Sequence, residues 1–226
     1  MEKSQYELCI EVLRRFNKHK LLDDVILIGS WCIPFYKDYF SQVKYTTYIK
    51  TRDVDFLIPN PHKIRASVDI PGLLKDLGFV IGYKGSKGYI KLEHSDLIVE
   101  FLSLEKGKGT DRPVEIPKLG INAVALRFLS LLTYNNIKVK VDDFKLSLPH
   151  PANFALHKLI IFQRRLKQDK AIKDRNAAIQ ILKALINKKE TGKIKQVFDF
   201  IPKKWQKKIL ENLKSIGELE IIKILR

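Results

Sequence analysis

The chain has 226 residues, of which 45% are hydrophobic and 30% charged. That is the composition of a soluble globular protein of one substantial domain or two small ones. Its apolar runs are too short or too charged to span a bilayer, and Met1–Ser4 lead into an amphipathic helix pattern rather than a signal sequence, so no membrane association and a cytoplasmic location are expected. Net charge is +17, from 42 basic against 25 acidic residues. Such an excess favours an anionic partner, above all nucleic acid; a generally basic surface is the plainer alternative.

Residues 4–18 place Tyr6, Cys9, Ile10, Val12, Leu13 and Phe16 at the spacing of one helix face. Val25–Ile28 is a short apolar run of the kind that forms a buried strand. A helix is expected from Ser30 to about Phe40, with Pro34 in its first turn and Trp31, Phe35, Tyr36, Tyr39 and Phe40 packing into a core. Ser41–Lys50 reads as a polar loop near the site. Asp53–Ile58 is a second strand, stopped by Pro59-Asn60-Pro61. Asp69 caps a helix with Pro71 in its first turn, and Gly78 ends it. Phe79–Tyr83 and Tyr89–Glu93 form a hairpin, and Leu97–Leu102 is the third strand of that meander. Glu105–Arg112, rich in glycine and lysine, reads as a mobile loop. Ala123–Thr133 fits strand or helix by pattern, and Ile137–Val141 with Phe144–Leu148 fits a hairpin around Asp142-Asp143. Pro149-His150-Pro151 marks a domain boundary, giving domains 1–148 and 149–226. Beyond it helices are expected at about 152–168, 173–187, 191–200, 204–214 and 217–225. From His157 to Arg226 there are 19 basic and 7 acidic residues, so this tail carries +12 of the charge.

Two stretches carry chemistry. In Leu27-Ile28-Gly29-Ser30 a buried strand breaks at a glycine and opens a helix at a serine. Such a corner offers backbone N–H groups and a hydroxyl to an anion such as a triphosphate. Asp53 and Asp55, two apart on a strand, share one face, while Val54 and Phe56 fill the other. Two like charges side by side call for a cation between them, and a divalent metal held by carboxylate oxygens is the natural one. The plainer reading of an Asp-x-Asp pair is a solvated edge strand. Glu100 interrupts an otherwise apolar strand; it pairs with a lysine, binds the metal, or takes the proton of an attacking hydroxyl. Asp96 and Glu93 are weaker substitutes for it, being near a turn.

Lys158 lies among Leu156, Leu159 and Ile160 in the helical tail, followed by Arg164, Arg165 and Asp174. It can bind a nucleotide phosphate or snorkel to the surface; Asp174 can orient it or cap the next helix. The five histidines form no metal-ligand pair, the chain has no Ser-His-Asp logic and no dinucleotide fingerprint, and both cysteines read as buried thiols.

Gly29-Ser30-Trp31 with Phe35-Tyr36, then Thr51-Arg52-Asp53-Val54-Asp55-Phe56-Leu57-Ile58-Pro59, then Pro151 with Leu156-His157-Lys158-Leu159, resemble the nucleotidyltransferase superfamily that includes DNA polymerase β, the minimal nucleotidyltransferases and AbiEii-type toxins. The pattern is most similar to a group of uncharacterised prokaryotic nucleotidyltransferase-like proteins. The resemblance implies an α+β fold: a small mixed sheet flanked by helices, followed by the helical C-terminal domain. It implies a metal-dependent transfer of a nucleoside monophosphate from a nucleoside triphosphate to a hydroxyl, with RNA such as tRNA as acceptor. Gly29 and Ser30 would then bind the triphosphate. Asp53, Asp55 and Glu100 would hold magnesium (or manganese), and Lys158 and Asp174 would match the lysine and aspartate that AbiEii-like proteins carry after the catalytic sheet. Two departures stand out: a longer gap between Ser30 and Asp53, and glutamate at the third acidic position. A degenerate relative that binds nucleic acid or a toxin–antitoxin partner without catalysis is the alternative.

Overall fold

In a computed structural model, which describes residues 3–47, 51–105, 107, 109 and 112–226, the N-terminal apolar stripe forms α1 (Lys3–Lys18) and buries Cys9, Leu13 and Phe16. Residues 48–50 of the 41–50 loop, and 106, 108, 110 and 111 of the glycine-rich loop, lie outside the described residues. The chain divides into two units, Met1–Phe35 with Tyr48–Leu148, and Tyr36–Thr47 with Pro149–Arg226. The fold is mixed α+β.

The first unit is built on a mixed sheet. Strand β1 (Ile26–Ile28) is buried throughout and leads through a 3-10 turn, Gly29–Trp31, into the short helix α2 (Cys32–Phe35). Strand β2 (Asp53–Ile58), helix α3 (Ile70–Leu74) and the hairpin β3 (Val80–Lys84) and β4 (Tyr89–Glu93) follow, then β5 (Ile98–Leu104), β6 (Val114–Ile116) and β7 (Ile121–Leu126). The order is β1-β2-β5-β4-β3, with β7 also beside β5 and β6 beside β7. β2 and β5 run parallel; β1 is antiparallel to β2, and β4 to β5. One edge of β5 is shared: β4 pairs with residues 98–100 and β7 takes over at Leu102–Leu104. Asn122 of β7 ties the hairpin to that junction, accepting from Ile90 N–H at 2.9 Å and donating to Gly88 O at 3.0 Å. A separate hairpin, β8 (Ile137–Val141) and β9 (Phe144–Leu148), turns at Asp142, whose φ is 49°.

The alternation of a strand decides which residues enter which layer. On one side of β2 and β5, Phe56 and Phe101 stack with centroids 5.6 Å apart, and Phe16 of α1 meets Phe56 edge-on at 5.2 Å. On the other side Ile26, Ile28, Leu57 and Leu102 pack with Leu129 and Leu132.

The second unit is helical: α4 (Pro151–Ile161), α5 (Gln168–Asn187), α6 (Thr191–Phe200), α7 (Lys203–Ser215) and α8 (Leu219–Leu225). Residues 151–160 are all buried, so α4 is the central rod, packed by α5, α6 and α7. His150 caps it, with Nδ1 accepting from Ala152 N–H at 3.2 Å. Segment 36–47 is pinned to this unit by two tyrosines. Tyr36 Oη donates to Pro149 O at 2.8 Å. Tyr39 Oη donates to Glu190 and lies 3.0 Å from His150 Nε2, which must be the donor there because Nδ1 is already accepting. Burial and then the Glu190 carboxylate push the Tyr39 hydroxyl's pKa up, and burial with Lys193 pushes His150 down to about 4.

Two expectations are corrected and one open reading is resolved. The helix opened at Ser30 ends at Phe35, not Phe40; beyond it Tyr36, Tyr39 and Phe40 serve the second unit from a run of turns. Segment 123–133 is strand to Leu126 and 3-10 helix from Leu129 to Thr133, divided at Phe128 with φ 72°. The first tail helix stops at Ile161 and the next begins at Gln168, with Asp169 in its first turn where the helix dipole favours it. Among the described residues no helix is long and apolar enough to cross a membrane.

Phe56 is fully buried against two rings. Phe56→Ala is expected to cost about 3–5 kcal/mol, read as a shift of the denaturant midpoint with unchanged slope.

Candidate active site

The register between β2 and β5 sets the site. Asp55 lies directly opposite Glu100, and Asp53, two residues earlier, lies opposite Ile98. Partners in a parallel pair face the same way, so Asp53, Asp55 and Glu100 share one side of the sheet. All three are half-buried, unlike Val54 and Phe56 between and beside the aspartates, which are buried on the α1 side. The same side carries Leu57 and Leu102 one step further along, so an apolar layer borders the carboxylates directly. Thr51 Oγ1 accepts from Asp53 N–H at 3.2 Å and fixes the entry to β2.

The other neighbour of Asp55 is Ile28, the last residue of β1. Gly29 follows with φ 72°, a left-handed conformation that suits glycine, and a Cβ there would collide with Asp55 Oδ2. Glycine therefore serves twice: it turns the chain out of the strand and leaves room for the carboxylate. Ser30 is half-buried at this corner. The turn it opens is short, so this corner presents a hydroxyl and local N–H groups and little helix dipole.

On the far side of Glu100 stands Lys91 of β4, its register partner, which sequence reasoning missed. Lys91 is ion-paired with Glu93, so Glu93 is on the same side but already engaged. Only the strand pairing reveals Lys91; no local signal distinguishes it from the other lysines. Asp96 lies past the end of β4, 3.7 Å from His94.

Magnesium is commonly held by one or two carboxylates together with substrate phosphates and water, not by an all-protein cage. Among the described residues no three His, Cys, Asp or Glu side chains gather into a preformed cage. Carboxylates on one side of two adjacent strands fit that open mode of coordination.

In the second unit Lys158 and Asp174 meet as a buried ion pair, and Arg165 adds a second contact to Asp174 at 2.7 Å. Both plainer readings fall: Lys158 does not snorkel, and Asp174 sits inside α5 instead of capping it, because α5 starts six residues before it. Burial alone would raise the Asp174 carboxyl; Lys158 and Arg165 outweigh it and hold the group below the ordinary carboxylate range. His157, beside them, has a buried Nε2 with no hydrogen-bond partner among the described residues, and burial, reinforced by Lys158, pushes its pKa down to about 3.

A family profile described as Nucleotidyltransferase matches residues 7–199. Among solved structures, the solution structure of the antibiotic-resistance factor ANT(2'')-Ia is similar at 12% identity, covering 84% of this chain and 93% of that one with a TM-score of 0.47. A crystal structure of ANT(2'')-Ia in complex with adenylyl-2''-tobramycin, also at 12% identity, covers 81% and 94% with a TM-score of 0.48. An antigenic nucleotidyltransferase-like protein from Paracoccidioides brasiliensis, 15% identical, covers 80% and 85% with a TM-score of 0.39. No curated protein sequence gives a significant match.

Two outcomes follow from this geometry. Gly29→Ala is expected to cost about 1–2 kcal/mol through its left-handed backbone alone, and also to displace Asp55; urea melts and a structure of the variant check both. For His157, the unfolded chain binds a proton below about pH 6.5 and the folded chain only near 3, so stability falls as pH drops through that window. Between pH 7 and pH 5 the loss is about 2 kcal/mol, and His157→Leu should abolish this share in urea melts at the two pH values.

Proposed function

The chain belongs to the nucleotidyltransferase family, an enzyme family of nucleotidyl transfer, and from that premise we propose that it moves a nucleoside monophosphate from a nucleoside triphosphate to a hydroxyl of RNA. The observation that carries this reading is the register of β2 on β5, which sets Asp55 against Glu100 with Asp53 on the same side and Gly29 against Asp55.

Gly29 and Ser30 hold the triphosphate in this reading, by backbone N–H and hydroxyl. Asp53 and Asp55 bind magnesium or manganese, with Glu100 completing the carboxylate set or acting as base. Such an ion, when bound, polarises the α-phosphate and offsets the charge of the departing pyrophosphate. Glu100 takes the proton from the acceptor hydroxyl as its oxygen bonds to the α-phosphorus and the bond to the β-phosphate oxygen breaks. Lys158 is assigned to a nucleotide phosphate, with Asp174 as the group that orients it. An ammonium has three N–H donors, and the contact with Asp174 uses one. The acceptor is assigned to RNA on charge: 149–226 carries +12 of the +17.

The test is incubation with each labelled triphosphate, magnesium and total RNA. Wild-type protein should label an RNA product, and Asp53→Asn with Asp55→Asn should lower incorporation to about a thousandth or less while leaving the thermal melt in place. Equal incorporation by the double variant would overturn the assignment.

A further inference from the structure

The corner between α6 and α7 carries an exposed phenylalanine, a half-buried tryptophan and a run of lysines, on a surface that the transfer chemistry does not use. Phe200, the last residue of α6, is 61% exposed, and Trp205, in the first turn of α7, is half-buried. Residues 200–208 contain four lysines, Lys203, Lys204, Lys207 and Lys208, and no acidic residue. Trp205 and Lys208, and Lys204 and Lys208, stand three and four residues apart and so run along one flank of α7. Lys207 is 81% exposed and approaches Glu211 only at 4.0 Å, while Asp199, the nearest acid before the corner, is held by Lys195 at 2.8 Å.

Hydrogen bonds brace the corner. Gln206 is buried, and its amide donates to Phe198 O at 3.0 Å and Ile201 O at 2.8 Å, so one side chain ties the end of α6 to the start of α7. Trp205 N–H donates to Pro202 O at 2.8 Å. The rings are thus presented from a fixed backbone, which reduces the ordering cost of binding.

We propose that this corner binds single-stranded RNA, the lysines following the phosphates and the rings of Phe200 and Trp205 receiving unpaired bases. The proposal deepens the RNA-acceptor reading above by giving the acceptor a surface. Rings and cations side by side are the combination that unpaired nucleic acid uses. A duplex hides its base faces and would engage the lysines alone. A membrane would need an apolar helix side to insert, and on α7 that side, with Ile209 and Leu213, is buried in the unit.

The chain has two tryptophans, and Trp31 is fully buried, so ligand-induced fluorescence changes report Trp205. The full chain, without triphosphate or metal, is titrated with an unstructured 12-nucleotide RNA, with an RNA hairpin of the same composition, and with phosphatidylglycerol vesicles. Saturable quenching by the single strand is expected. Its affinity should fall with salt at a log–log slope on the order of −2 to −3, the value for four lysines on a single strand. Phe200→Ala, and separately Lys204→Glu with Lys208→Glu, should each weaken it about tenfold with the thermal melt unchanged. Absence of quenching, equal affinity for the hairpin, or a response to vesicles alone would overturn the proposal. Asp53→Asn with Asp55→Asn should leave the quenching intact, so a failure of RNA binding and a failure of nucleotidyl transfer are read separately.

Discussion

The carboxylate face depends on one interaction, the parallel pairing of β2 with β5 in a register that sets Asp55 opposite Glu100. Side chains alternate along a strand, so a slip of one residue on β5 would turn Glu100 into the layer under α1 and expose Val99 and Phe101 instead. The stacked rings of Phe56 and Phe101, held by Phe16 of α1, therefore do more than fill space: they make the wrong register costly. The leucines on the carboxylate side fix it from the other direction, because Leu57 and Leu102 reach Leu129 and Leu132 only in this alignment. Hydrophobic packing on both sides of two strands thus positions three acids that by themselves would repel. At strand spacing, on the order of 5 Å, two neighbouring carboxylates repel by about 3 kcal/mol at an effective dielectric of 20. The core supplies the energy that holds them there; a cation and a triphosphate would relieve it.

How much of this could be read from the residues alone depended on the range of the signal. Asp53–Ile58 was legible to its ends because its alternation and its Pro59 stop are local. The hairpin of β3 and β4 and that of β8 and β9 were legible for the same reason. The parallel neighbour of β2 was not, since nothing in either strand names its partner; the placement of Glu100 was a conditional inference that only pairing could decide. Lys91 was missed because its role follows entirely from lying opposite Glu100 across β4 and β5. The overextended helix after Ser30 shows the opposite error. Trp31, Phe35, Tyr36, Tyr39 and Phe40 do have helical spacing, yet the chain leaves the first unit after Phe35, and the later rings pack with Phe154, Tyr45 and His150. Tertiary context overrode a period that was present.

The second unit solves a different problem, the burial of charge. A lysine inside α4 would be costly alone, and the Asp174 carboxylate of α5 pairs with it, while Arg165 takes the other carboxylate oxygen. Asn212 of α7 donates to Leu159 O, so the same stretch of α4 is tied to a third helix. His157, beside Lys158, is a buried neutral imidazole whose Nε2 has no hydrogen-bond partner among the described residues.

Charge is segregated by design of the fold, not spread evenly. The sheet face of the first unit gathers Asp53, Asp55, Glu93 and Glu100 against a single cation among these register neighbours, Lys91, while the helical tail gathers 19 basic residues against 7 acidic ones. A polyanion approaching the chain is attracted by the basic tail but repelled by the acidic face, unless the latter is first neutralised. The charge pattern thus favours contact of a polyanion with the helical tail over contact with the carboxylate face.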